Sequence, residues 1–192
     1  MPPVILASGS PYRKELLQRV FSDFQCMAPN LDEESLKSSG LEPDRIAQHL
    51  ARAKAEAVAA NHADAIVIGS DQVADLDGQL LGKPHTVEQA CLQLSLMSGS
   101  EHRLITAVCL CFQQHRVEFS CVTTLRMRSL TADEILRYVQ RDQPLDCAGS
   151  YRIEAAGIGL FERIQTDDFT SIIGLPLIQL VTELRNLGVR IP

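Results

Sequence analysis

The chain has 192 residues, of which 45% are hydrophobic and 22% are charged, and its formal net charge at pH 7 is −6. This length and composition fit one globular domain spanning residues 1–192. The acidic balance, without a run of basic residues, argues against a nucleic-acid polymer as partner. No apolar run approaches the ~20 residues that a membrane helix needs.

The expected compartment is the cytoplasm. The first apolar run, at residues 4–7, is too short for a signal peptide and has no basic segment before it. None of the six cysteines forms a CxxC pair, and Cys109 and Cys111 lie two positions apart in a strand-like run. Buried free thiols in a reducing compartment explain this pattern better than a soft-metal site does.

The first predicted elements are a short strand over Val4–Ala7 and a helix that begins at Pro11. Ser10 is a favourable N-cap, and proline suits the first helical position. The turn from Ser8 to Ser10 therefore carries backbone N–H groups at a helix N-terminus, and Arg13 adds a full positive charge. Two interpretations follow: a phosphate site, or an ordinary strand-to-helix turn with a capping serine.

Downstream, predicted strands and helices alternate. The first half continues with a strand at Phe24–Ala28, an acidic segment at Asp32–Leu41, a helix from Pro43, a strand at Ala65–Gly69, a turn at Asp77-Gly78 and a helix capped by Thr86. The second half has β-branched runs at His102–Phe112 and Arg116–Arg128, a helix from Thr131 to Arg141, a strand at Ile158–Ile164 and a helix at Leu177–Leu187. This order predicts an α/β fold with a mixed, twisted β-sheet flanked by helices.

The helix that begins at Pro43 has apolar residues at helical spacing, which predict its buried stripe: Ile46, Leu50, Ala53 and Ala57. Lys54 lies one step from this stripe. We therefore expect its side chain to be accessible, so that replacing it would change stability little.

Asp71 is the first candidate for catalysis. It follows the apolar run Ile66–Gly69, and ligands of open α/β sheets bind beyond the carboxyl ends of the strands. Its carboxylate is suited to act as a general base or to hold a divalent cation. The plainer alternative is a turn aspartate that accepts a backbone hydrogen bond.

Lys83 is the second candidate. Gly82 lets the backbone approach a ligand, and Pro84 stiffens the chain after it, so the lysine would be held near a phosphate. The alternative is a solvated surface side chain. The spacing is not that of a P-loop, because the chain contains neither GxxxxGKS nor GxxxxGKT.

Six motifs, in order along the chain, resemble those of the Maf family of nucleotide pyrophosphatases, which is distantly similar to the inosine triphosphate pyrophosphatases. They are SGSPYRKELL at residues 8–17, Asp32-Glu33, Ala53-Lys54-Ala55, GSDQV at residues 69–73, GKP at residues 82–84 and Gly174-Leu175-Pro176-Leu177. The resemblance implies two lobes around a central cleft within the α/β architecture. It also implies hydrolysis of a nucleoside triphosphate to the monophosphate and pyrophosphate, by attack of water on the α-phosphorus.

The same resemblance assigns roles to individual residues. Asp71 would be the catalytic aspartate that accepts a proton from the attacking water. The other implied roles are phosphate binding by Ser8, Ser10 and Arg13, charge neutralisation by the catalytic lysines Lys54 and Lys83, and coordination of Mg²⁺ or Mn²⁺ by Glu33 together with Asp71. A homodimer is implied as well.

Three residues differ from the common family pattern and resemble the branch that acts on 7-methyl-GTP: Tyr12, Gln72 and Glu154. Methylation at N7 makes guanine cationic, so an aromatic face and a carboxylate would favour it over uracil or thymine. The alternatives are a tyrosine on the helix surface and a glutamate that is solvated or paired with Arg152.

Two other functions stay open. One is a pyrophosphatase for dTTP and UTP, or for nucleotides of many kinds. The other is a nucleotide-binding regulator of cell division that does not cleave its ligand. The combination of Asp71, Lys54 and Lys83 argues against a regulator, because binding alone needs no positioned base.

Overall fold

The computed structural model describes residues 1–37 and 40–192, which form alternating strands and helices. The strands are β1 (Val4–Leu6), β2 (Phe24–Cys26), β3 (Ile66–Leu76), β4 (Gln79–Leu81), β5 (Glu101–Phe112), β6 (His115–Met127) and β7 (Phe161–Gln165). The helices are α1 (Pro11–Gln18), α2 (Glu33–Lys37), α3 (Pro43–Ala59), α4 (Val87–Met97), α5 (Ala132–Asp142), α6 (Thr170–Ile173) and α7 (Leu177–Asn186), with 3₁₀ turns at Ala148–Ser150 and Ala156–Leu160. Within the described residues, none of these helices combines the length and apolarity that crossing a membrane requires.

The strands form one mixed sheet of seven strands in the order β2-β1-β3-β5-β6-β7, with β4 also paired to β3. β1 runs parallel to both β2 and β3, whereas β4 pairs antiparallel with β3 and β7 pairs antiparallel with β6. The prediction of an α/β fold with a mixed sheet and flanking helices is confirmed.

Several predicted boundaries are confirmed by their capping and turn contacts. The Ser10 side chain accepts a hydrogen bond from the backbone N–H of Arg13 at the start of α1. Thr131 forms the expected capping box with Glu134 at the start of α5. The Asp77-Gly78 turn has positive φ at both residues (50° and 87°), as a type I′ turn between β3 and β4 requires.

Three predicted elements differ from the structure. The strand predicted to end at Gly69 continues through β3, and part of the acidic segment forms the short helix α2. Ser38 and Ser39 of that segment lie outside the described residues. The strand predicted from Ile158 begins only with β7, because Ala156–Leu160 forms a 3₁₀ turn instead of extended backbone.

The buried stripe of α3 differs from the predicted one in the second half of the helix. Ala53 is half-buried and Ala57 is exposed, whereas Lys54, Ala55 and Val58 are buried. Alanines lie on more than one side of this helix, so their spacing did not identify the side that packs on the sheet. Lys54 therefore lies within the buried stripe, and the prediction of an accessible lysine is wrong.

The chain forms two compact units, the first comprising residues 1–72, 106–121 and 168–192 and the second residues 73–105 and 122–167. In the first unit, Ile66 and Ile68 of β3 join an apolar core with leucines of α1 and α7. Side chains alternate along a strand, and Gly69 accordingly lies against α3. The two faces of the sheet in this unit are thus covered by different helices.

In the second unit, α4 packs against α5, and three aromatic rings form a buried cluster. His102, Tyr151 and Phe161 have ring centroids between 4.9 and 5.9 Å apart. Nε2 of His102 lies 2.9 Å from the Tyr151 hydroxyl.

His102 makes the stability of the fold depend on pH. Burial lowers the pKa of His102 to about 4, against the opposing charge of Asp75, so the folded protein keeps the ring neutral while the unfolded chain binds a proton below about pH 6.5. Stability from this residue is therefore present above pH ~6.5 and is lost as the pH falls towards ~4. We expect the free energy of unfolding to drop by roughly 2–3 kcal/mol between about pH 7.5 and 4.5 on this account, measured by urea denaturation.

His115 provides the control for this prediction, because it is exposed. His102→Gln should flatten this part of the pH dependence, whereas His115→Gln should leave it unchanged. An equal slope in His102→Gln and the parent protein would contradict the prediction.

Candidate active site

Strand β3 places consecutive polar side chains on opposite faces of the sheet. β1 pairs with Ile66–Ile68 and β4 pairs with Ala74–Leu76, so Ser70, Asp71 and Gln72 lie between the two paired stretches. Asp71 is thus inside a strand, and its predicted position at the carboxyl end of that strand is wrong. The backbone stays extended because β5 also pairs with β3. Asp71 nevertheless lies beyond the carboxyl end of the parallel strand β1.

Lys54 joins two carboxylates. Its Nζ lies 2.6 Å from Oδ1 of Asp71 and 2.8 Å from Oε1 of Glu33. The side chains of Lys54 and Asp71 are 8% and 7% exposed and that of Glu33 is 37% exposed, so the first pair is buried and the second reaches the surface. The structure therefore brings together three predicted site residues from α2, α3 and β3.

Gly69 explains why Lys54 reaches its partners. A Cβ at this position would overlap the carbonyl oxygen of Ala51 and lie 2.6 Å from the backbone nitrogen of Ala55, so α3 packs directly on the backbone of β3. We expect Gly69→Ala to destabilise the fold by up to about 3 kcal/mol, because backbone atoms must move to admit the methyl group. Thermal denaturation tests this against Gly159→Ala, whose Cβ would meet no atom within 4 Å. Equal stability of the two variants would contradict the close packing.

The two carboxylates lie in a positive electrostatic environment. Burial alone would raise the pKa of Glu33, but the hydrogen bond and charge of Lys54 lower it below its usual value. The charges of Lys37 and Arg13 act in the same direction. Burial lowers the pKa of the Arg13 guanidinium, and the charges of Asp71 and Glu33 oppose this effect. Arg13 therefore belongs to the same cluster of charges as Lys54.

One carboxylate oxygen of Asp71 has no hydrogen-bond partner among the described residues. Its Oδ1 is bound by Lys54, whereas its Oδ2 is buried and has no hydrogen-bond partner among the described residues. A buried acceptor of this kind is costly unless something fills its place in the working protein. Oδ2 is therefore the atom at which a proton or a cation would be taken up.

The carbonyl of Gly174, just after α6, holds Arg13 in place. This oxygen accepts hydrogen bonds from Nε of Arg13 at 2.9 Å and from Oγ of Ser70 at 3.0 Å. Gly174 has φ 122°, and a Cβ there would lie 3.3 Å from Nε of Arg13. The backbone conformation thus favours glycine, and a Cβ would also crowd the Arg13 side chain.

Gln72 binds the preceding carbonyls of α6. Its Nε2 lies 2.8 Å from the oxygen of Ser171 and 3.0 Å from that of Ile172. A third acceptor, Oγ1 of Thr106 on β5, lies 2.9 Å away. The amide nitrogen of Gln72 is therefore engaged in holding α6 against the sheet.

Ser8 and Ser10 shape the turn in front of α1. Oγ of Ser8 accepts a hydrogen bond from the backbone N–H of Ser10 at 3.1 Å. Oγ of Ser10 accepts from the backbone N–H of Arg13 at 3.4 Å. Two of the N–H groups expected to face a phosphate are thus bonded to serine side chains, and phosphate binding by this turn stays a prediction.

The remaining predicted residues lie in two different units. Tyr12 is half-buried in the first turn of α1. Lys83 is exposed after β4, and Oε1 of Glu154 lies 3.3 Å from Nε of Arg152. Lys83 and Glu154 belong to the second unit and the other site residues to the first. A single site containing both sets stays a prediction.

The fold and the cluster around Asp71 define a class of protein. An α/β sheet that gathers carboxylate, ammonium and guanidinium groups near a helix N-terminus is typical of proteins that bind phosphate compounds. More particularly, the chain belongs to the Maf-like protein family, whose model matches residues 3–187. The family membership predicted from the motifs is confirmed.

Curated proteins from several bacteria are similar to this chain over its length. One from Bdellovibrio bacteriovorus is 46% identical over 183 residues, covering 95% of this chain and 96% of its own. Proteins from Xanthomonas axonopodis pv. citri and Pseudomonas aeruginosa are 47% and 44% identical, with 100% of both chains covered in each case. All three carry the name 7-methyl-GTP pyrophosphatase.

Proposed function

We propose that this protein is a hydrolase that cleaves 7-methyl-GTP to 7-methyl-GMP and pyrophosphate, and so removes a modified nucleotide. Full-length identity of 44% to 47% to proteins of that name supports the substrate. The structural observation that carries the proposal is the buried Asp71 carboxylate. Lys54 holds one of its oxygens at 2.6 Å, and the other has no partner among the described residues.

Asp71 would act as the general base. A base must offer an acceptor that is not already used, and Oδ2 is such an oxygen. The proton of the attacking water would pass to Oδ2 while the water oxygen bonds to the α-phosphorus. The bond from that phosphorus to the bridging oxygen would break, and pyrophosphate would leave. Lys54 would hold the carboxylate in the orientation for this transfer.

We propose Mg²⁺ or Mn²⁺ as the cofactor, held by Glu33 and Asp71. Their carboxylates are the hard oxygen donors that these ions prefer, and Asp71 can serve as base and ligand because a carboxylate has about four lone-pair sites. Within the described part of the chain, no group of three or more histidine, cysteine, aspartate or glutamate side chains could hold a metal. The other ligands would thus be water and substrate phosphates. When bound, the ion would neutralise phosphate charge.

The triphosphate would be bound by the cations and the turn in front of α1. Nε of Arg13 donates a hydrogen bond to the carbonyl of Gly174, and the two terminal nitrogens of the guanidinium would donate to phosphate oxygens. Ser8 and Ser10 would shape the turn around a phosphate. Lys83 is exposed and would neutralise charge on the leaving pyrophosphate.

Tyr12 and Glu154 would recognise the methylated base. The tyrosine ring would face the cationic purine, and the glutamate would accept hydrogen bonds from its N1 and N2 groups. Glu154 would have to turn from Arg152 to do so. Gln72 would contribute to selectivity by fixing α6, since its amide nitrogen is engaged there.

Pyrophosphate release from 7-methyl-GTP, GTP, dTTP and UTP, with Mg²⁺ and after chelation by EDTA, tests these proposals. We expect kcat/KM for 7-methyl-GTP to exceed that for UTP by about 100-fold, and EDTA to abolish activity. A preference for dTTP or UTP would indicate the other type of pyrophosphatase. Binding without pyrophosphate release would indicate a nucleotide-binding regulator, such as one of cell division.

The variant Tyr12→Arg/Gln72→Thr/Glu154→Gln tests the base-selecting residues together. The preference for 7-methyl-GTP over UTP should collapse, with activity on UTP rising. An unchanged ratio would show that these residues do not select the base.

We also propose a cytoplasmic homodimer. Cell fractionation tests the compartment, and light scattering of the purified protein tests the assembly.

A further inference from the structure

The Asp168 side chain forms hydrogen bonds with both ends of the segment that leads from α6 into α7. Its Oδ1 accepts hydrogen bonds from the backbone N–H and the hydroxyl of Thr170, at 2.9 and 2.6 Å. Its Oδ2 accepts from the backbone N–H of Ile178 at 2.7 Å. The Thr170 hydroxyl in turn accepts from the backbone N–H of Leu177 at 2.9 Å. Asp168 is buried, so these charge-assisted bonds fix both ends of residues 170–178.

The segment held in this way presents the Gly174 carbonyl. That oxygen accepts from Nε of Arg13 and from Oγ of Ser70. Glycine has wide conformational freedom, so the direction of its carbonyl is set by the structure on either side and not by the residue itself. The bonds that fix residues 170–178 therefore also fix the acceptor of Arg13.

We propose that Asp168 is a positioning residue for Arg13. By fixing residues 170–178 it holds the Gly174 carbonyl, and that carbonyl orients the guanidinium for the triphosphate. The inference rests on the proposed function in one respect, that Arg13 binds substrate phosphate. Asp168 acts through Arg13 and needs no contact with the substrate.

The alternative is that Asp168 only caps α7. The first N–H groups of a helix have no partner within the helix, and Asp168 and Thr170 supply acceptors for two of them. Loss of a cap lowers stability, whereas misplacement of Arg13 changes the kinetics of the molecules that remain folded. Kinetics of the folded fraction therefore separate the two roles.

Three variants of this network supply the test. Asp168→Asn keeps the size of the side chain but replaces one acceptor oxygen with an NH₂ group, which cannot accept from Thr170 or Ile178. Thr170→Val removes the hydroxyl, and Thr170→Ser restores it. The matched control is Thr131→Val, which breaks the capping box of α5 in the second unit.

We expect Asp168→Asn and Thr170→Val to lower kcat/KM by about 10-fold or more, since small errors of position are costly in catalysis. Thr170→Ser should restore it. Thr131→Val should lower the melting temperature and leave kcat/KM unchanged. All rates are measured well below the melting temperatures and divided by the folded fraction. An unchanged kcat/KM in folded Asp168→Asn would overturn the proposal.

A double-mutant cycle with Arg13→Met tests whether Asp168 affects kcat/KM through Arg13. If Asp168 acts through Arg13, adding Asp168→Asn to Arg13→Met should cause no further loss of kcat/KM. Losses that multiply would show an independent role and would overturn the proposal. Because Arg13 is assigned to the phosphates, the loss in Asp168→Asn should be the same for every triphosphate that the protein hydrolyses.

Binding of inorganic pyrophosphate with Mg²⁺, measured by calorimetry, separates this proposal from the proposed function. If no triphosphate is hydrolysed, the proposed function fails, and binding decides the positioning role alone. Asp168→Asn should then raise the Kd for pyrophosphate about 10-fold in the parent protein and leave it unchanged in Arg13→Met. An equal change in both backgrounds, no change in either, or no binding to the parent protein would overturn the positioning role.

Discussion

Asp71→Asn is expected to lower kcat for 7-methyl-GTP by at least about 100-fold, the usual scale for a lost general base. The amide has nearly the shape of the carboxylate, and Lys54 keeps its pair with Glu33, so the protein should still fold, although its free energy of unfolding should be lower than that of the parent protein. It cannot accept the proton of the attacking water as a carboxylate does, because the amide is a far weaker base. Pyrophosphate release measures the loss, and circular dichroism confirms the fold.

Asp75 offers the matched control for this substitution. It lies on the same strand as Asp71, it is buried, and its Oδ2 pairs with Arg103 at 2.6 Å. Asp75→Asn therefore removes the charge of another buried aspartate, whose partner Arg103 is partly exposed and which has no proposed part in the chemistry. If folded Asp71→Asn turned over substrate as fast as Asp75→Asn does, Asp71 would not be the general base.

Lys54→Met has the largest expected effect on stability. It leaves the buried Asp71 carboxylate without the ammonium group that lies 2.6 Å away, and breaking such a pair costs about 3–5 kcal/mol. Glu33 is partly exposed, so its share of the loss is smaller. We also expect kcat to fall, because Asp71 loses the group that orients it. Urea denaturation measures the change in the free energy of unfolding.

Arg52 provides a control on the same helix. Its guanidinium lies 2.8 Å from Glu118, but both side chains are partly exposed. Arg52→Met should therefore cost less than about 1 kcal/mol. A loss in Lys54→Met no greater than in Arg52→Met would show that the buried pair does not stabilise the fold.

The pair of Lys54 and Glu33 also gives this stability a pH dependence. Despite burial, the pKa of Glu33 is held below its ordinary value of 4.5, chiefly by Lys54. A carboxylate of this kind stabilises the fold above its ordinary pKa, and the contribution is lost as the pH falls through the lowered value. The difference between the parent protein and Lys54→Met should therefore shrink below about pH 4.5. If the difference in the free energy of unfolding between the parent protein and Lys54→Met stayed constant below about pH 4.5, the pair of Lys54 and Glu33 would not contribute to it.

The sequence predicted the ends of elements well, because capping and turn geometry depend on near neighbours. Ser10 begins α1 and Thr131 begins α5 through bonds that span three residues. The Asp77-Gly78 turn needs positive φ at two adjacent positions, which these residue types tolerate. In each case the physical cause lies inside the segment that carries the signal.

Motif order also identified the residues of the charged cluster before any contact was known. Glu33, Lys54 and Asp71 came from three separate motifs, and the structure places a carboxylate oxygen of Glu33 and one of Asp71 within 2.8 Å of Nζ of Lys54. Ser70 and Gly174, whose contact was not predicted, lie in two of the six family motifs as well. Their contact is a hydroxyl to a main-chain carbonyl across 104 positions, and a carbonyl acceptor leaves no trace in residue type.

By itself the sequence determined the element types, most of their ends, the family and the residues that form the charged cluster around Lys54. Only the tertiary structure decided which side of α3 is buried, how far β3 runs and which groups Arg13 and Gln72 hold. The reason is physical: each of these depends on a partner in a distant element. Gly69 lets α3 come close enough to bury Lys54, β5 keeps β3 extended past Asp71, and the carbonyls of α6 exist as acceptors only where that helix ends.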